Sequence, residues 1–257
     1  MKNNRRSFIK LAAVAAAGIA VAPKAAVAAG GHAAPIKKNP EALEAKRWGM
    51  VIDTTKLHAK EEIAALGEIC HTVHNVPELE GPQELMWLWS DSYAHSFPEQ
   101  ENPHLAEEIH HRDYPLLCNH CDNPPCVRVC PTKATYKRAD GIVAMDYHRC
   151  IGCRYCMAGC PYGSRSFNWG EPRKHLDLSK INPDFPTRMR GVVEKCNFCV
   201  ERLAEGKLPA CAEASHGAII FGDLSDPDSN VRQVLRERYT IRRKPAAGTE
   251  PSVYYII

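Results

Sequence analysis

The sequence predicts an α+β fold built from short β-hairpins and cysteine-bearing loops. Three observations carry that reading. Twelve cysteines stand in 257 residues, eight of them in two matching runs between Cys118 and Cys160. Aromatic residues are sparse at 7%, so bound cofactors are expected to replace part of the usual apolar core. Short β-prone pieces follow the cysteine runs, with turn signals between them.

The first run is C-x2-C-x4-C-x3-C-P, with Cys118, Cys121, Cys126, Cys130 and Pro131. The second is C-x2-C-x2-C-x3-C-P, with Cys150, Cys153, Cys156, Cys160 and Pro161. That second spacing is the bacterial ferredoxin one, in which three cysteines bind one [4Fe–4S] cluster and the fourth reaches the neighbouring cluster. Two short gaps let a tight loop offer three thiolates to one cubane. The last step lies one helical turn on, so its sulfur points across, and proline stops the helix. A disulfide framework and a pair of four-cysteine zinc sites are the alternatives. Disulfides have no reason to repeat this spacing with a proline after each run, and zinc sites want two knuckles rather than three cysteines in one loop. The expectation is a double bacterial-ferredoxin-like domain over residues 48–257, with an insertion and a C-terminal tail.

The N-terminus reads as an address. Arg5 and Arg6 precede a mild apolar run and the small-residue motif Ala26-Val27-Ala28, which predicts a twin-arginine export signal over 1–28 with cleavage after Ala28. That route carries folded proteins, which suits cofactors inserted in a reducing cytoplasm, and it predicts a periplasmic location. Without residues 1–28 the chain keeps 28 basic against 30 acidic side chains, so no nucleic-acid partner is indicated. No apolar run is long enough to span a bilayer. Residues 29–47, rich in Ala and Gly, read as a mobile linker.

From there the elements follow in order. Met50-Val51-Ile52 predicts a buried strand, and Glu61 to Val76 a helix carrying Cys70 and ended by Pro77. Residues 78–112 form an insertion whose Trp87, Trp89 and Tyr93 pack on a neighbouring surface, with His95, His104, His110 and His111 at its solvent edge. A haem or metal site at those histidines, or a docking surface at Trp87 and Trp89, is the competing reading. The central cluster pair occupies 113–170. Inside it, Ala134 to Met145 contains Asp140-Gly141, which predicts a two-residue hairpin, and Ser166 to Trp169 predicts another strand. Asp228 or Ser229 caps a tail helix running to Arg238, and Ser252–Ile257 is a strand. Arg242, Arg243 and Lys244 read as a solvated basic face.

The outer part, 48–77 with 190–223, holds a degraded repeat. Cys196, Cys199 and Cys211 are followed by Ser215 where a fourth cysteine belongs, and counting back from Cys70 gives Leu66, Ile63 and Lys60. Because the fourth cysteine of each group serves its partner's cluster, these losses describe one missing cofactor. The remaining cysteines make three [4Fe–4S] sites: Cys118, Cys121, Cys126 and Cys160; Cys130, Cys150, Cys153 and Cys156; Cys70, Cys196, Cys199 and Cys211. A free thiol at Cys70, beside a three-iron cluster or zinc at the last group, stays open. Arg128, Arg149, Arg154, Arg165 and Lys195 lie near ligands and can offset cluster charge; ordinary surface ion pairing is the alternative for each.

The stretches PLLCNHCDNPPCVRVCPTKATYKRADGIVAMDYHRCIGC, GCPYGSRSFNW, PTRMRGVVEKCNFC and YTIRRKPAAGTEPSVYYII resemble the iron–sulfur electron-transfer subunits of bacterial respiratory oxidoreductases. Within that family the resemblance is to the DsrO-type exported subunit of the DsrMKJOP complex of dissimilatory sulfur metabolism. The family's pattern is departed from at Lys60, Ile63, Leu66 and Ser215. The resemblance implies an electron wire rather than an enzyme, and there is no nucleophile–base constellation, phosphate loop or evident small-molecule substrate site. It also implies an integral membrane quinone-interacting subunit and a multihaem c-type cytochrome or other redox subunit as partners. Delivery of electrons to a molybdopterin catalytic partner, as in polysulfide or dimethyl sulfoxide reductase, is the alternative function, and a structural zinc protein the remote one.

Overall fold

The computed structural model describes residues 39–257. The expected signal at 1–28 and the linker up to residue 38 lie outside the described residues. The strands in chain order are β1 (Trp48–Asp53), β2 (Leu88–Asp91), β3 (Tyr114–Leu117), β4 (Thr135–Lys137), β5 (Val143–Met145), β6 (Ser166–Phe167), β7 (Val193–Glu194), β8 (Ile219–Asp223), β9 (Thr240–Ile241) and β10 (Val253–Ile256). The helices are α1 (Lys60–Val73), α2 (Tyr93–Ser96), α3 (Glu107–His111), α4 (Pro125–Arg128), α5 (Tyr155–Ala158), α6 (Val200–Ala204), α7 (Ala210–Ala214) and α8 (Asn230–Glu237). Helix and strand are mixed throughout, as the sequence predicts. No helix among the described residues is long and apolar enough to cross a membrane.

One four-stranded sheet, ordered β8-β1-β10-β9, organises the outer part. Its central strand β1 is buried at every residue, which suits its nearly unbroken apolar sequence. It pairs antiparallel with β8, Met50 facing Phe221, and parallel with β10, Met50 facing Val253. The other strands form three two-stranded ladders: β2 with β3, β4 with β5, and β6 with β7.

Helix α1 buries Ile63, Leu66, Gly67 and Cys70, the spacing of one helical face, and keeps Glu61 and Glu62 in its first turn. At Gly67 a Cβ would sit 3.2 Å from the Leu88 carbonyl, so the glycine lets the helix approach β2 closely. The helix stops at Val73 rather than Val76. Asn75 takes φ +49°, and its amide donates to the carbonyls of Asn182 and Phe185, turning the chain before Pro77 is reached.

Three other expectations and one competing reading need correction. Residues 39–47 are tied down rather than linker-like: Leu43 N–H donates to Leu203 O, and both Lys46 and Arg47 N–H groups donate to the Asp223 carboxylate. The β4–β5 hairpin has a three-residue loop, because Gly141 (φ +83°) donates to Arg138 O and Arg138 then pairs with Ile142. Trp87 is wholly buried, as the packing reading has it, so the competing docking reading fails there; Trp89 is half-buried. The basic run near the C-terminus is not a solvated face. Arg243 is buried, donates to Ser96 O and lies over the Tyr162 ring, while Lys244 donates to Pro161 O. Ser229, of the two proposed caps, accepts the Arg232 N–H at the start of α8.

Candidate metal centres

The C-x2-C loops share one backbone device. The residue just before the second cysteine has positive φ in all three: His120 at 39°, Gly152 at 69° and Phe198 at 57°. A left-handed residue there curls the loop so that both thiols face one point. Gly152 has a further reason to be glycine, since a Cβ would lie 2.4 Å from the Gly191 carbonyl.

These loops gather the cysteines into three sets. Cys118, Cys121, Cys126 and Cys160 line one cavity with Val143, Tyr162 and Arg165; this is the middle site. Cys130, Cys150, Cys153 and Cys156 line a second with Met145, Ile151 and Arg154, and only Cys156 is fully buried; this is the surface site. In the core site all four thiols are buried. Helix α1 supplies Cys70, the loop before α6 supplies Cys196 and Cys199, and α7 supplies Cys211. Among the described residues all twelve cysteines are free thiols rather than disulfides.

The electrostatics show which sulfurs face each other. Burial, then repulsion from Cys196, Cys199 and Cys211, pushes the Cys70 thiol far up. Burial, then Cys118, pushes Cys121 up to about 12, and burial pushes Cys211 up to about 11. Thiols crowded this closely become thiolates together only around a positive centre, which is what an iron–sulfur core supplies. The donor sets therefore fit four-cysteine cluster ligation. Cys130 behaves differently: burial raises its pKa, but the N–H groups of Thr135, Thr132 and Ala134 and the Thr132 hydroxyl outweigh burial and lower it.

Buried cations stand between the sites. Arg165, 4% exposed, donates to Thr135 Oγ1 at 3.2 Å and to Met145 Sδ at 3.7 Å, and its charge is felt by both Cys126 of the middle site and Cys156 of the surface site. Burial lowers its pKa, yet Cys126, Cys156 and Cys118 together raise it, so it stays charged. Lys195, 1% exposed, donates to Cys196 O at 2.8 Å and to Val143 O, joining the core site to the wall of the middle one. Burial pushes Cys196 up, and Cys118 of the middle site adds to this. The three sites therefore run core, middle, surface. Of the five basic residues singled out, Arg165 and Lys195 hold these inner positions. Arg154 stacks over Trp169 at 4.6 Å, Arg149 meets Asp146 at 3.2 Å, and Arg128 is exposed.

Several residues around the sites carry no signal in the sequence. His120 stacks on Phe198 with ring centroids 3.7 Å apart, and its Nδ1 accepts the Val143 N–H. Burial, then Lys195, pushes its pKa far down and keeps it neutral. Beside the core site, His74 Nδ1 meets Cys70 O at 2.8 Å, and its Nε2 lies 2.7 Å from Glu201 Oε1, off the line of a good hydrogen bond. His74, Cys199 and Glu201 bring ligand atoms within 4.8 Å, a trio that shares Cys199 with the core site. Behind them Glu194 accepts from Arg188 Nε and Trp87 Nε1, each at 2.9 Å, and from Asn168. The insertion's histidines do not converge: His95 is exposed against Asp91, and His110 meets Tyr93 edge-on.

Where the sequence counts a fourth lost site, the structure has apolar core. Ile63 and Leu66 are buried with Ala212, Ala218 and Ile219. The Ser215 hydroxyl donates to Ala212 O at 2.8 Å and accepts the Ile219 N–H at 2.9 Å, closing the turn from α7 into β8.

Comparison with known proteins agrees with this chemistry. A 4Fe-4S dicluster domain profile matches residues 110–175. The chain is 39% identical to the Hdr-like menaquinol oxidoreductase iron-sulfur subunit 1 of Archaeoglobus fulgidus, over 98% of this chain and 97% of that one. It is 37% identical to the menaquinone reductase iron-sulfur cluster-binding subunit of Nitratidesulfovibrio vulgaris, over 82% and 88% of the two chains. With a tetrathionate reductase subunit of Salmonella typhimurium it shares 34% identity over 100% and 89%. With its cysteine sets and these full-length likenesses, the chain belongs to the family of 4Fe–4S iron–sulfur subunits that serve as electron-transfer components of larger oxidoreductases.

Proposed function

We propose that this chain is a periplasmic electron-transfer subunit carrying three [4Fe–4S] clusters in a row. Cys118, Cys121, Cys126 and Cys160 would hold the middle cluster, Cys130, Cys150, Cys153 and Cys156 the surface cluster, and Cys70, Cys196, Cys199 and Cys211 the core cluster. The observation that carries this reading is Cys70. It comes from a helix far away in sequence, yet it is buried facing the other three thiols of the last group. When bound, such clusters exchange single electrons at potentials set by charge, hydrogen bonding and exposure. The protein's own part is to fix the order of the sites and their surroundings. Arg165 and Lys195 place a positive charge at each junction, where a reduced neighbour adds negative charge.

The relatives' names support a quinol-linked assembly. We assign the chain to the DsrO-type subunits, working with an integral membrane quinone-interacting subunit and a multihaem c-type cytochrome in sulfur-linked respiration. The likeness to a tetrathionate reductase subunit favours, as the second reading, delivery of electrons to a catalytic reductase subunit.

Iron and sulfide analysis, with EPR after reduction, tests the count. About 12 irons per chain are expected, four for each of three cubanes. About eight would remove the core cluster and about 16 would mean a fourth site. Export is tested separately by Arg5→Lys with Arg6→Lys, which should leave a folded, cluster-bearing protein in the cytoplasm because the signal is read by a receptor. Continued periplasmic accumulation would rule the twin-arginine route out.

A further inference from the structure

The surface site opens onto a face that exposes several large apolar side chains. Ile151 is 67% exposed, Tyr155 62%, Trp169 45% and Val129 39%. They form a patch: Val129 packs at Gly159 beside the Tyr155 carbonyl, Arg154 covers Trp169, and Phe167 touches both Trp169 and the Gly152 position. Ile151 and Arg154 also line the surface site itself, so the patch reaches the thiols without an intervening layer. Basic residues ring it. Arg128 and Lys133 flank Cys130, Arg149 and Arg154 flank the Cys150–Cys153 loop, and Arg190 adjoins Gly191, whose carbonyl abuts Gly152. Arg149 meets Asp146, but Arg128, Lys133 and Arg190 make no ion pair among the described residues. This concentration of positive charge stands in a region, 39–257, that holds 26 basic against 30 acidic side chains.

We propose that this face is the docking surface for a redox protein whose own electron-exchange face is acidic. The inference rests on the electron-transfer reading above and adds the place and the partner's chemistry. Exposed aliphatic and aromatic side chains at the centre with an open charged rim are the anatomy of a transient interface. The rim steers an oppositely charged partner, and the apolar centre lets it settle against the terminal cluster. The core site, whose thiols are all buried, offers no comparable exposure at its ligands.

The test uses the full cluster-bearing protein, reduced with dithionite, and two one-electron probes: an acidic flavodoxin and a basic c-type cytochrome. With the flavodoxin the second-order rate should fall steeply with added salt. Arg128→Glu, Lys133→Glu and Arg190→Glu combined should cut it at least tenfold at low salt and speed reaction with the cytochrome, with iron content unchanged. Arg236→Glu with Arg238→Glu, on α8 and beyond it, should stay within twofold. If the triple variant loses iron, the milder set Arg128→Gln, Lys133→Gln and Arg190→Gln is read instead, with a threefold loss expected. An unchanged flavodoxin rate at full iron content would overturn the proposal. So would loss of binding to phosphatidylglycerol vesicles with no change in rate, which would make the face a lipid contact. A parent protein with no EPR signal after reduction would overturn the electron-transfer reading itself.

Discussion

The two cysteine-bearing halves of the molecule answer the same structural problem differently. Between Cys118 and Cys160, loops, the one-turn helices α4 and α5 and the short strands β4 and β5 surround two thiol sets. In the outer half one thiol set survives, while the positions of the other carry Lys60, Ile63 and Leu66 on a continuous helix of 14 residues. There Ile63 and Leu66 fill space with side chains. One face of that helix thus serves both ends: Ile63 and Leu66 complete an apolar layer, and Cys70, one turn on, joins the surviving thiol set.

The largest test of that contrast is Cys70→Ala. It should remove the core cluster, about four irons of 12, and leave the EPR signals of the central pair. Loss of a central signal instead would show that the sets are paired differently. Next is Trp87→Ala, which empties a wholly buried site and strips a donor from Glu194; about 3–5 kcal/mol of stability should go in denaturant unfolding. Trp89→Ala, at a half-buried residue, should lose less than half as much, and equal losses would place both rings in the core. Ile63→Ala should lower stability by about 2–5 kcal/mol without changing iron content, since it fills space and holds no metal. Iron lost along with stability would mean that the helix positions Cys70 too loosely to separate the two roles. The smallest effect belongs to Ser215→Cys. Its hydroxyl closes a turn, so about 1 kcal/mol is expected, with no fourth cluster because Ile63 and Leu66 occupy that region. A new EPR signal would overturn the account of the lost site.

Local elements were legible because each rests on neighbours in sequence. The apolar run at Met50–Ile52, the helical spacing of Ile63, Leu66 and Cys70, the Ser229 cap and the Asp140-Gly141 turn all announce themselves. The turn's loop length did not, because the bulge at Gly141 depends on how Arg138 and Ile142 pair. Pairings between distant segments were equally hidden: nothing in VYYI names Met50–Asp53 as its neighbour. Arg242, Arg243 and Lys244 looked solvated since three bases in a row usually are. Arg243 is inside because Ser96 O and the Tyr162 ring receive it, and neither can be read locally. For the sites, cysteine spacing points to the twelve thiols as candidate ligands, whereas His74, His120, Arg188 and Glu194 come into view only with the chain folded around them.

The parallel pairing of β1 with β10 has a consequence for how the molecule is made. The two strands bracket the whole cysteine-bearing stretch, Cys70 to Cys211, so every cysteine is synthesised before the second strand of the clasp. Pairings across so much chain are slow to form. Until β10 arrives, the edge of β1 opposite β8 stays open. Closure of the sheet by β10 is then a late event in synthesis, and a nascent chain stopped short of Val253 would hold β1 by its pairing with β8 alone.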